Sequence, residues 1–94
     1  MITRIVRMQF REEAEADFLS VFRNAEPHIR SFPGCLSLEI YKEKHVPSTF
    51  FTLSTWESEE NLEQYRNSAL FSATWSATKK LFSGPPSAWT LEKQ

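Results

Sequence analysis

Residues 35–56, read as CLSLEIYK (35–42), EKHVPS (43–48) and TFFTLSTW (49–56), decide the fold. In the first run Leu36, Leu38 and Ile40 alternate with Ser37, Glu39 and Tyr41, the period of two that marks a strand. The last run alternates as well: Phe51 and Leu53 fall on one face, and Phe50, Thr52, Ser54 and Trp56 on the other. A polar loop containing His45 and Pro47 joins them, so the pair reads as an antiparallel hairpin.

Upstream, Ser31-Phe32-Pro33-Gly34 is a break. Before it, Ala14, Phe18, Phe22, Ala25, Ile29 and Phe32 recur every three or four residues, which predicts an amphipathic helix from about Arg11. Glu12, Glu13 and Glu15 suit the positive end of its dipole, and Pro27 predicts a kink or a fresh short helix. Ile2 to Phe10 alternates again and reads as the first strand.

Downstream, Ser58 is an N-cap candidate ahead of Glu59 and Glu60, with Leu62 and Tyr65 pointing inward. Asn67 or Ser68 caps a further helix carrying Phe71, Trp75, Thr78 and Phe82. Gly84-Pro85-Pro86 stops it, and Ala88 to Glu92 forms a last strand with Trp89 and Leu91. The order β-α-β-β-α-β is ferredoxin-like: an α+β fold with a four-stranded antiparallel sheet and helices on one face.

At 94 residues the chain is expected to form one domain, residues 1–94. A net charge of −1 argues against a broad basic surface for nucleic acid, and no run of residues is long and apolar enough for a membrane span. Cys35 is the only cysteine, so neither an internal disulfide nor a cysteine-based metal site is expected, and a reducing, cytoplasmic setting is the default.

Eight Phe, three Trp and two Tyr need a core, a cavity or a partner. One sheet face is left uncovered by helices, yet Ile5, Tyr41 and one side of the third strand put apolar groups there. Such a patch predicts a homodimer packed sheet to sheet. The column Phe50-Thr52-Ser54-Trp56 sets two small hydroxyl residues between two large aromatics. If it faces the helices, it leaves space under Phe18, Phe22, Phe71 and Trp75, a pocket with aromatic walls and polar handles.

The chain resembles the antibiotic biosynthesis monooxygenase superfamily of dimeric α+β barrels over essentially its whole length. The residues carrying the resemblance are Ile5-Val6-Arg7-Met8, Phe32-Pro33-Gly34-Cys35-Leu36, Ser54-Thr55-Trp56-Glu57-Ser58-Glu59-Glu60, Tyr65 to Phe71, and Trp75. The resemblance implies a homodimer with a cavity in each subunit between sheet and helices. It also implies oxidation of small aromatic phenols, hydroquinones, anthrones or polyketide-like substrates with O₂ and without metal, haem or flavin. Trp56 falls at the tryptophan that ends the third strand in these enzymes. Thr52 stands where some cofactor-free members carry Asn. In a haem-degrading branch, Val6 would be Asn and Trp75 the haem-ligating His, so both positions depart from haem binding.

The candidate catalytic residues are Trp56, Thr52 and Tyr65, and Val6, Phe22, Ser54, Phe71 and Trp75 are expected to line the substrate pocket. Cofactor-free oxygenation needs a dry aromatic slot and hydrogen-bond groups near a developing oxyanion. Trp56 can donate its indole N–H or serve only as packing, and Tyr65 can bond a substrate or merely cap the pocket. His28 follows Pro27 beside the helical stripe and reads as a surface residue; His45 reads as an exposed loop residue. Arg7 is expected to face the barrel or the dimer contact, where it could pair with Glu39 in preference to a catalytic role, and Cys35 reads as a buried structural thiol. No spacing suggests a metal site. The alternative reading is a non-catalytic dimeric module that binds a small aromatic or hydrophobic molecule; a pocket filled by its own aromatics is a third.

Overall fold

In the computed structural model, which describes all 94 residues, the chain runs β1 (Ile2–Gln9), a 3-10 turn (Glu12–Ala14), α1 (Glu15–Arg30), β2 (Cys35–Lys42), β3 (Thr49–Trp56), α2 (Glu59–Arg66), α3 (Ala69–Lys79) and β4 (Ser87–Glu92). The four strands form one antiparallel sheet in the order β2-β3-β1-β4, the ferredoxin-like α+β arrangement. No helix is long and apolar enough to cross a membrane.

Local chemistry sets the boundaries. The Ser58 hydroxyl accepts from the Asn61 amide at 3.1 Å and caps α2; Ser68, not Asn67, caps α3 through the Phe71 amide at 3.1 Å. Gly34 adopts φ +87°, a left-handed conformation that glycine tolerates, and a Cβ there would come within 2.3 Å of Asn61 Cγ. The Glu57 amide donates to the Gly34 carbonyl at 2.9 Å, tying this turn to the start of α2. At the other end of the hairpin, Glu15 of α1 accepts from Lys42 at 2.6 Å and from the Ser48 hydroxyl at 3.1 Å. These bonds hold the Glu15 carboxyl below the usual carboxylate range, the Lys42 bond contributing most.

Four local expectations are corrected. Pro27 starts no new helix: α1 continues through it to Arg30, and Ser31 closes the last turn by donating to the Pro27 carbonyl. Leu36 does not join Leu38 and Ile40 on the inner face. Cys35 pairs with Trp56 and Ser37 with Thr55, so Leu36 is the extra residue of a β-bulge and is 51% exposed. Phe10 and Phe82 fall outside their predicted elements, joining each other in a lone antiparallel bridge that closes the end of the α-β layer. Within one protomer Arg7 and Glu39 do not pair, because β3 lies between their strands; Glu39 accepts from Tyr41 there.

The register shows what each face carries. Toward the helices stand Ile2, Arg4, Val6 and Met8 of β1, Leu38 and Ile40 of β2, and Phe50, Thr52, Ser54 and Trp56 of β3. The opposite face carries Ile5, Tyr41, Phe51 and Leu53, joined by Trp89 and Leu91 of β4, which are 46% and 47% exposed.

Candidate functional site

Between sheet and helices the aromatic residues do not fill all the space. Met8, Phe10, Phe18, Phe22 and Phe50 close one end. Ile2, Trp56 and Leu62 form a second, smaller cluster with Phe32 and Tyr65 against it. A cavity of about 280 Å³ opens between them, just below the roughly 300–1,000 Å³ usual for small-molecule sites.

The hollow has a residue-level cause. The inward column of β3 runs large, small, small, large, so Thr52 and Ser54 leave the floor low between Phe50 and Trp56. Val6, opposite Thr52, contributes a small floor residue from β1. Phe71 and Trp75 of α3 form the far wall and stack at 5.8 Å between ring centroids. Phe22 enters from α1 and Tyr65 from α2. All eight candidate residues named from the sequence therefore line one cavity.

Trp56 is fully buried, and its indole N–H donates to Ser54 Oγ at 3.0 Å. The indole proton is thus already engaged inside the protein. The Ser54 hydroxyl, having accepted that bond, keeps its own proton to give, so the donor available to a ligand passes from Trp56 to Ser54. Tyr65 stacks on Trp56 at 5.0 Å and meets Phe71 edge-on at 5.3 Å. Burial, with the Cys35 charge second, pushes the Tyr65 phenol up to about 12. It stays protonated near neutral pH and can donate, but it has little capacity as a base.

Neither histidine reaches the cavity. His28 lines a shallow groove on the outside of α1 and α3 with Val21, Asn24 and Leu70, and His45 is exposed. No aspartate or glutamate lines the cavity either. Cys35 is half-buried, not buried; desolvation raises its thiol pKa, opposed by Arg30 and a backbone bond at Ser37. No group of three or more His, Cys, Asp or Glu side chains converges anywhere as a metal site would require.

Sequence reasoning passed over Arg4, Arg66 and the segment Pro86-Ser87-Ala88, which also line the cavity. Arg66, Pro86, Ser87 and Ala88 are exposed and mark its mouth. For Arg4 the signal was present: it shares the even-numbered face of β1 with Ile2, Val6 and Met8. For the others it was not, since only the folded path of α2 and the turn before β4 brings them there.

Comparison with solved structures finds the same architecture at low sequence identity. A Caulobacter crescentus protein named for the antibiotic biosynthesis monooxygenases superposes with a TM-score of 0.94 at 20% identity, over 99% of this chain and 89% of that one. A Bordetella bronchiseptica protein named for the same family gives 0.87 at 23% identity, over 99% and 96%. A conserved protein of Methanosarcina mazei gives 0.93 at 19% identity, over 100% and 94%. No curated protein matches the sequence. The profile of the antibiotic biosynthesis monooxygenase family matches residues 1–76, a span that holds all three catalytic candidates and the whole aromatic wall of the cavity, and to that family the chain belongs.

Proposed function

We propose that this protein is a cofactor-independent monooxygenase that oxidises a small aromatic phenol, hydroquinone or polyketide-like substrate with O₂, acting as a homodimer. The observation that carries the reading is the cavity of about 280 Å³ in a family member, with aromatic walls and the Ser54 hydroxyl as an inward donor. In this mechanism the substrate ionises at an activated C–H or phenolic O–H, and its proton leaves to solvent. The anion passes one electron to O₂ and the radical pair combines at carbon. The peroxide anion takes a proton back from solvent and loses water to leave a carbonyl, so an activated CH₂ supplies all four electrons. The roles assigned to the chain are orientation by Trp56 and Tyr65 and hydrogen bonding to the oxyanion by Ser54 and Thr52.

The dimer rests on the open sheet face, where Ile5, Phe51, Leu53, Trp89 and Leu91 form an apolar surface with no covering element. A monomeric mass by light scattering at micromolar concentration refutes it.

A second reading is favoured by one observation: no histidine or carboxylate lines the cavity to take a proton. On that reading the protein binds a small aromatic molecule without turning it over. Incubation with hydroquinones and anthrones, with and without O₂, separates the two. Oxygenation requires O₂ uptake above the buffer rate by wild type and its loss in Trp56→Phe. A binding module shows no uptake and only modestly weaker binding in that variant.

A further inference from the structure

The rim of the cavity is electrostatically one-sided. Arg4 and Arg66 line it, and no acidic side chain does. Arg66 is already paired with Glu63 at 3.0 Å. Arg4 forms no ion pair; its one side-chain hydrogen bond runs from Nη1 to the Thr90 hydroxyl at 2.7 Å. A guanidinium carries five N–H donors, so most of those on Arg4 have no partner within the protein. Arg4 is also half-buried, on the same inward face as Val6 and Met8. Burial first, and the Arg66 charge second, hold it below the ordinary arginine range against the opposing pull of Glu63.

We propose that the cavity selects a flat apolar molecule bearing one anionic oxygen group, a carboxylate or an ionised phenol, whose charge seats on Arg4 at the mouth while its rings lie between Val6, Phe71 and Trp75. The two ends of the site then have separate tasks. Phe71 and Trp75 enclose the apolar body, and Ser54 offers a neutral hydrogen bond inside. Arg4 supplies the charge-assisted hydrogen bond at the rim, the stronger and more selective contact. With no base among the lining residues, a cation that favours the ionised form of a bound phenol also does part of what a base would do. The inference rests on reading the cavity as a ligand site and does not depend on turnover.

The test compares 2-naphthoate with its neutral near-isostere 2-naphthamide by calorimetric titration of the intact protein. Wild type is expected to prefer the anion by about tenfold or more, the usual worth of a hydrogen bond to a charged group. Arg4→Gln should bring the ratio close to one, Arg4→Lys should retain part of it, and Arg66→Gln should leave it within about twofold because that guanidinium is already paired. Equal affinities in wild type, no binding by either compound, or a preference that survives Arg4→Gln overturns the proposal. A bound 4-nitrophenol separates the two anion sources: an Arg4-dependent rise in phenolate absorbance includes phenols in the ligand class, and its absence restricts the class to carboxylates. Arg4-dependent naphthoate binding without O₂ uptake upholds this inference and defeats the monooxygenase reading. Quinol turnover undiminished in Arg4→Gln, with no naphthoate preference, does the reverse.

Discussion

Two ends of the same layer, between one sheet and one set of helices, are built differently. At the Phe10 end, Phe10 and Phe18 stack at 4.0 Å and Phe18 meets Phe50 at 5.2 Å, and only the far side of Phe18 borders the cavity. Two residues farther along β3, the inward position passes from Phe50 to Thr52, then to Ser54, and the layer becomes hollow. Backbone geometry is shared, because the β1–β3 register runs unbroken from Gln9–Thr49 to Ile2–Trp56. On β3 the difference lies in side-chain volume. A dry void of this size would cost about 7 kcal/mol at ~24 cal/mol per Å³, which rivals the ~5–15 kcal/mol total stability of a typical domain. The hollow here is not lined as a dry void would be: Thr52 and Ser54 put hydroxyls inside it and Arg4 and Arg66 put charge at its rim. Stability is thus concentrated at one end, and the proposed ligand site lies at the other.

The contrast can be broken most directly at the solid end. Phe18→Ala removes a ring held between Phe10, Phe22 and Phe50 and should destabilise the protein by about 3–5 kcal/mol in denaturant unfolding. A loss below about 1 kcal/mol would show that this end is not the structural core. Filling the hollow sharpens the comparison from the other side. Thr52 makes no side-chain hydrogen bond within the protein, so Thr52→Leu should leave stability within about 1 kcal/mol of wild type while weakening 2-naphthoate at least about tenfold. Unchanged affinity would mean that the ligand does not use this floor.

The smallest effect concerns pH and again belongs to the solid end, where Glu15 ties α1 to Lys42 and Ser48. Its carboxyl is depressed in the folded state, so its contribution is complete above the unfolded value of about 4.3 and fades as pH falls through the lower folded value. Thermal melts from pH 6 to pH 2.5 should show a shallower acid loss in Glu15→Gln than in wild type. Identical slopes would remove this clamp from the account.

Much of this contrast was legible before folding. Period-two alternation put Phe50, Thr52, Ser54 and Trp56 in one column, and helical spacing put Phe71 and Trp75 on one stripe, so floor and wall could be read separately. What could not be read depends on pairing between distant segments. Cys35-Leu36-Ser37-Leu38 alternates without flaw, and only its pairing with β3 exposes the bulge at Leu36. The engagement of the Trp56 indole with Ser54 depends on a rotamer that spacing does not specify. Arg4 was visible on the inward face, but a long cationic side chain can reach water from such a position, and its place at a cavity rim depends on where α2 and residues 86–88 pass.

The turn at Gly34 has a further consequence for the size of the hollow. Its missing side chain lets Asn61 rest against the backbone, and the next residue along α2, Leu62, together with Tyr65, belongs to the cavity wall. Gly34 therefore acts as a spacer of zero thickness, setting how near that wall stands to the floor from a position outside the cavity. A single methyl group at this site has nowhere to go unless Asn61 gives way, so the calibre of the hollow is governed in part by a residue that does not line it.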